Sequence, residues 1–230
     1  MRRVAPRALA LIALPALLLP AACSEDAPEN PTGVSESTVS DGASESAATV
    51  DCPPEGGAQE QVQSFDAAPP MCIDTAKTYT AVMTTDAGEI TIELDDDKAP
   101  ETVNNFVVLS RYKFYDGVTF HRVIPTFMIQ GGDPSGDGSG GPGYTFGDEL
   151  PDAGEYEVGS VAMANAGPDT NGSQFFIVTG DAGVALPAKY TLFGTVTDGM
   201  DVVKTIEGDG SESGAPQTTH TIESVTIEEE

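Results

Sequence analysis

The chain has 230 residues, enough for one domain or two small ones. It carries 37 acidic against 10 basic side chains, and a formal charge of −27 excludes nucleic acid and anionic lipid headgroups as partners. With 39% apolar residues it can still bury a core, and the negative field favours a soluble monomer.

From the start of the chain, residues 1–22 read as an export signal. Arg2, Arg3 and Arg7 precede the apolar stretch Ala8–Leu19, which is too short for a comfortable membrane span. The run Leu19-Pro20-Ala21-Ala22-Cys23 resembles the lipobox of bacterial lipoproteins, with Pro20 departing from the usual Leu. That resemblance implies lipidation of Cys23 and a membrane contact through the lipid alone. The other reading is a plain secretory cleavage site. Either way the mature chain is exported, to the outer face of the cytoplasmic membrane or as a secreted or periplasmic protein.

Residues 23–49 are mainly Ser, Glu, Asp, Ala, Pro and Thr, too polar to offset chain entropy by burial, and are expected to form a disordered acidic tether. Residues 50–76, punctuated by Pro53-Pro54, Gly56-Gly57 and Pro69-Pro70, are expected to form an ordered N-terminal arm. Cys52 and Cys72, an even pair in an exported chain, predict a disulfide closing a short loop. A zinc site would need more ligands than His121 and His220 can add, so no metal is expected.

The folded domain is expected over 77–230. Tyr79–Thr85 and Glu89–Leu94 predict strands joined by a hairpin at Asp86-Ala87-Gly88, and Ile90, Ile92 and Leu94 mark the buried face of the second. Pro100 and Glu101 suit the first turn of a helix, and Val103, Phe106, Val107 and Ser110 continue it to about Arg111. Strands follow at Thr119–Val123, Thr126–Gln130, Ser160–Ala164, Phe175–Val178 and Leu192–Val196. A second helix is expected at Met200–Ile206 and a closing strand at Thr221–Ile227. Many short strands and two helices predict a mainly β fold, a closed antiparallel barrel capped by the helices.

Two segments carry the chemistry. One is Phe120-His121-Arg122-Val123-Ile124-Pro125-Thr126-Phe127-Met128-Ile129-Gln130-Gly131-Gly132-Asp133, and the other runs from Met163 to Ile177. Alternation in the first puts Arg122 on one face with Phe120 and Ile124, and Met128 on one side with Gln130. A guanidinium is rarely buried without a partner, so the residues alone suggest an arginine paired with a carboxylate.

Both segments resemble the two signature stretches of the cyclophilin family, in order and at a matching separation, within a likeness spanning about Thr78 to Ile227. The resemblance implies an eight-stranded cyclophilin-like barrel and peptidyl-prolyl cis/trans isomerase activity without a cofactor. Position by position, it implies Arg122 as the catalytic arginine and Phe127, Met128, Phe176 and Leu186 as the walls of a proline pocket. Gln130 and Asn165 would bind the substrate backbone, and Ala164, Ala166 and Gln174 would complete the groove. Thr170, Asn171, Gly172 and Ser173 would line the subsite for the residue before proline. Tyr190 stands where eukaryotic members often carry histidine, and His121 would position its neighbour. The chain has no tryptophan, and Ala185 falls near the family's common one, which argues against tight cyclosporin binding.

The partners expected are proline-containing polypeptides, exported proteins being folded. A proline-peptide binding module, acting as holdase or surface adhesin, is the alternative. The glycine-rich run Gly131–Gly141 lacks the Lys-Ser/Thr ending of a phosphate loop and is expected to be a flexible surface loop beside the groove.

Overall fold

The computed structural model describes residues 50–230; the export signal, Cys23 and the whole tether 23–49 lie outside them. Among the described residues there are eight strands: β1 Tyr79–Thr85, β2 Gly88–Leu94, β3 Arg122–Ile124, β4 Met128–Gly131, β5 Ser160–Met163, β6 Phe175–Val178, β7 Leu192–Asp198 and β8 Ile222–Glu229. Three helices accompany them: α1 Pro100–Arg111, α2 Asp181–Val184 and α3 Met200–Gly208. The strands form one antiparallel sheet in the order β3-β4-β6-β5-β7-β2-β1-β8.

Two expectations are corrected here. The barrel is not closed, because no ladder joins β3 to β8. The outward edge of β3 is occupied by the loop after α3: Val123 donates to the Gly214 carbonyl and Ser211 donates to the Val123 carbonyl. The gap is spanned only by the chain before β3, where Thr119 bridges to Asp133 and to Thr221 and Phe120 donates to the His220 carbonyl. The helices number three, since the single turn of α2 is too short to show a helical period.

The core explains why β5 and β6 read as unbroken apolar runs. Side chains alternate across a strand, and both faces of β6 are covered. Phe175 and Ile177 enter the main core with Met83, Ile92, Phe106 and Phe193. Phe176 and Val178 point the other way, into a smaller cluster with Met128, Tyr156, Ala162 and Leu192. That second cluster, on the outer face of the half-barrel, is the floor on which the candidate site stands.

Helix α1 is buried along nearly its whole length, Thr102 through Arg111. The Glu149 carboxylate closes its N-terminus, accepting from the backbone N–H groups of Glu101 and Thr102 at 3.0 and 2.8 Å. Residues preceding β1 pass over the helix, with Cys52 and Cys72 joined in a disulfide. Ala58 donates to the Arg111 carbonyl, Val62 to that of Tyr112, and the Asn104 amide oxygen accepts from Cys72 and Ile73.

Candidate active site

The register of one hairpin assembles the centre of the site. In the β3–β4 pair Arg122 lies opposite Gln130 and Ile124 opposite Met128, so all four side chains leave on the same face. Arg122 Nη1 donates to Gln130 Oε1 at 3.2 Å and lies 4.0 Å from the Met128 sulfur. The guanidinium carbon stands 5.7 Å from the centre of the Phe127 ring, within range of a cation–π contact. Phe120 does not share this face. It precedes the paired residues and turns fully into the core, while Arg122 is exposed. The bridge at Thr119 interrupts the alternation that would have aligned them.

The turn of this hairpin is held from outside. Thr126 has φ +61, a left-handed conformation that costs a β-branched residue about 1–3 kcal/mol. Its N–H donates to the Glu207 carboxylate of α3 at 2.7 Å, and its carbonyl accepts from Ala182 of α2. Phe127 is fixed next to it, accepting from Thr179 at 3.0 Å. Burial pushes the Glu207 carboxyl up, but hydrogen bonds from Lys204, Thr179 and Thr126 outweigh this and hold it below the usual carboxylate range.

Above the outer cluster lies a cavity of about 120 Å³. Its apolar walls are Phe127, Met128, Ala164, Phe176 and Leu186, and its rim is Arg122, Gln130, Asn165 and Tyr190. Tyr190 packs edge-on against Phe176, ring centres 5.5 Å apart. A cavity of this size has room for a small apolar group such as a ring. No side chain on its wall is a carboxylate, thiol or imidazole. Among the described residues, no carboxylate pairs with Arg122. The arrangement can bind a small apolar group and direct hydrogen-bond donors at it, and offers no base or nucleophile.

A larger cavity of about 770 Å³ adjoins the first, sharing Gln130, Ala164 and Asn165 with it. Ala166, Thr170, Gly172, Ser173 and Gln174 form one side, and residues 138–145 form the other. Gln174 ties the two cavities together. Its Oε1 accepts from Gln130 at 3.0 Å, and its Nε2 donates to the carbonyls of Gly138 and Gly140. A continuous line of hydrogen bonds thus runs from Arg122 through two glutamines to the glycine-rich loop.

Two of the expected site residues, Asn171 and His121, line neither cavity, and a third, Ser173, lines the larger one with its hydroxyl turned away. Asn171 is fully buried and donates to the Gly147 carbonyl and the Asp148 carboxylate, holding two loops together. The Ser173 hydroxyl is turned inward to the Gly132 carbonyl. His121 lines neither cavity. Burial pushes its imidazole below the usual histidine value, and neither ring nitrogen has a partner. Asn165 is at the site, but its side chain donates to the Lys189 carbonyl and accepts from Gly167. What the sequence did not disclose is the wall at 142–145 and the Glu207 anchor. Neither has a local pattern, although a carboxylate on α3 facing a turn is visible once the fold is known.

This geometry agrees with what the chain is similar to. The family model for cyclophilin type peptidyl-prolyl cis-trans isomerase/CLD matches residues 80–227. A probable peptidyl-prolyl cis-trans isomerase A of Mycobacterium leprae is 44% identical over 169 residues, covering 64% of this chain and 91% of the relative. Peptidyl-prolyl cis-trans isomerase B of Streptomyces anulatus is 43% identical over 164 residues, covering 64% and 93%. Among solved structures, a cyclophilin type peptidyl-prolyl cis-trans isomerase of Cryptosporidium parvum superposes with a TM-score of 0.60 at 34% identity, over 66% of this chain and 98% of that one. The same Cryptosporidium protein, solved in the presence of the dipeptide Ala-Pro, superposes equally well, TM-score 0.60. With the family model matched over more than half of its length and relatives more than 40% identical, the chain belongs to the cyclophilin-type peptidyl-prolyl cis/trans isomerase family.

Proposed function

We propose that the chain isomerises prolyl bonds in exported proteins, and that Arg122 does so by binding the twisted amide more tightly than either planar form. The barrier is the double-bond character of the amide, about 18–20 kcal/mol. On twisting, the nitrogen loses conjugation and its lone pair becomes an acceptor. A guanidinium has five N–H donors, and Gln130 engages Nη1 alone at 3.2 Å, leaving others to meet that lone pair. Only interactions stronger in the transition state speed the reaction, and each ~1.4 kcal/mol gives about tenfold.

The apolar cavity would grip the proline ring through Phe127, Met128, Phe176 and Leu186. Gln130 would hold the flanking chain with its side chain. Asn165, whose amide is already committed to Lys189 and Gly167, would do so with its backbone. The larger cavity would take residues preceding the proline. The observation that carries this reading is Arg122 itself, exposed, lining the small cavity and without a carboxylate partner among the described residues.

The placement outside the cytoplasm rests on residues 1–23, and a disulfide at Cys52 and Cys72 accords with an oxidising compartment. Lipidation of Cys23 would anchor a monomer through the tether 23–49, leaving the arm 50–76 and the domain 77–230 outside. Mass spectrometry of the mature N-terminus tests this, and an unmodified cleavage product there removes the anchor. The activity is tested by following cis-to-trans relaxation of an Ala-Pro peptide, which takes tens of seconds or longer uncatalysed. The full chain accelerates it and Arg122→Ala largely does not. A folded chain that binds proline peptides without acceleration is a binding module instead.

A further inference from the structure

The family match begins at residue 80, yet one wall of the larger cavity is backed by chain that precedes it. Its outer wall is rich in glycine at 138, 140, 141 and 143, so it has few side chains with which to fix itself. Residues up to 140 are tied down from within the domain. The Asp133 carboxylate accepts from Ser135, Asp137 and Gly138, and Gln174 holds the carbonyls of Gly138 and Gly140. Residues 142–144 lean on the arm. The Phe65 N–H donates to the Pro142 carbonyl at 2.8 Å, and the Phe65 ring meets Tyr144 edge-on. Gly143, at φ +103, comes so close to the Phe65 carbonyl that a β-carbon there would collide with it. Across the cavity, a β-carbon on Gly172 would lie 3.2 Å from the Pro142 ring. Pro142 and Gly172 are therefore nearly in contact, and the placement of Pro142 decides where the cavity is closed at this point.

We propose that the arm, through Phe65, is a specificity-determining element, positioning the Pro142–Tyr144 wall and so selecting which residues may precede the proline. This rests on the assignment of the two cavities given above. The arm is suited to the task because it is fastened on both sides of Phe65. The Cys52–Cys72 disulfide brackets it, and on one side lie the bonds of Ala58 and Val62 to the end of α1, with Gln61 and Gln63 donating to carbonyls of the turn beyond. On the other side Asn104 bonds Pro70 and Cys72. Phe65 also packs edge-on against Tyr112, ring centres 5.3 Å apart, so its ring cannot follow the wall if the wall shifts. Phe65 touches no substrate; it acts through the wall.

The test is a comparison of kcat/KM for two peptide series on the full chain, with Gly or Phe in the positions preceding Ala-Pro. In Phe65→Ala the ratio between the series shifts about fivefold or more, through KM of the bulky series rather than its kcat. Phe65→Tyr keeps the wild-type ratio, and Phe65→Leu, which preserves bulk but not the aromatic edge, moves it in the same direction as Phe65→Ala. Folded Phe65→Ala or Phe65→Leu chains with the wild-type ratio, or with both series reduced alike, overturn the proposal and leave the arm a stabilising strap. Wild-type chain inert toward both series overturns the cavity assignment itself.

Discussion

The two cavities are built on different principles. The small one stands on paired strands: Arg122, Met128 and Gln130 take their places from one hairpin register, and Phe176 from the neighbouring strand. The large one is closed by a glycine-rich loop whose position comes from props outside it, Asp133 and Gln174 on one stretch and Phe65 on the next. Strand ladders fix side chains to within a rotamer, whereas a loop without side chains takes whatever position its supports impose. On the proposed reading, reaction geometry would lie where the backbone is stiff, and substrate selection where it can be changed without disturbing the chemistry.

That contrast can be broken most severely at the shared floor. Phe176 is 5% exposed and belongs at once to the outer core and to the pocket wall. Phe176→Ala is expected to cost about 3–5 kcal/mol of stability in denaturant titration, and to raise KM for every proline peptide tested. A loss confined to one peptide series would contradict the assignment of the floor to the proline ring. Removing the tie of the arm is the next largest effect. Replacing both Cys52 and Cys72 by Ser opens a loop with a sequence separation of 20, worth up to about 3 kcal/mol in thermal unfolding. The peptide preference should then drift in the direction of Phe65→Ala while the preferred isomer equilibrium is untouched.

Glu207 sharpens the comparison from the small-cavity side. It carries the strained Thr126 and is held below the usual carboxylate range, so its contribution is present above 4.5 and is lost as the pH falls through the lower folded value. Glu207→Gln should cost about 1–3 kcal/mol at neutral pH and reduce kcat, since Phe127 sits next to the anchored residue. Urea melts at neutral and acidic pH check this: the variant should converge on wild type in acid. The smallest effect belongs to His121. Burial lowers its folded value below the ordinary 6.5, so the unfolded chain binds more protons just under that pH and stability declines there as the pH falls. His121→Gln should flatten that decline, and an unchanged pH profile would show the imidazole to be solvated.

Much of this was legible in the sequence for a simple reason. Alternation of apolar and polar residues marked the buried face of β2, runs rich in β-forming residues located β1 and β6 to the residue, and Pro100 marked the start of α1. The strand period paired Arg122 with Ile124 and Met128 with Gln130, wrongly adding Phe120, and only the hairpin register joined the two sets on one face. That Phe176, Leu186 and Tyr190 would meet them came only from family resemblance, because no local pattern brings together residues so far apart. The open edge beside β3 was hidden for a related reason: strands announce that they will pair, not with what. Phe65 was hidden more deeply, since a lone aromatic in a proline-punctuated arm has no period, and only the approach of Gly143 gives it meaning.

The central claim is that Arg122 acts on the twisted amide rather than on the bound peptide. The measurement that tests it most directly compares, for Arg122→Ala, the loss in kcat/KM with the loss in affinity for the same peptide by calorimetric titration. The account predicts that kcat/KM falls about a hundredfold or more while Kd changes by less than about threefold. Equal losses in both would mean that Arg122 binds substrate and transition state alike, and would contradict it.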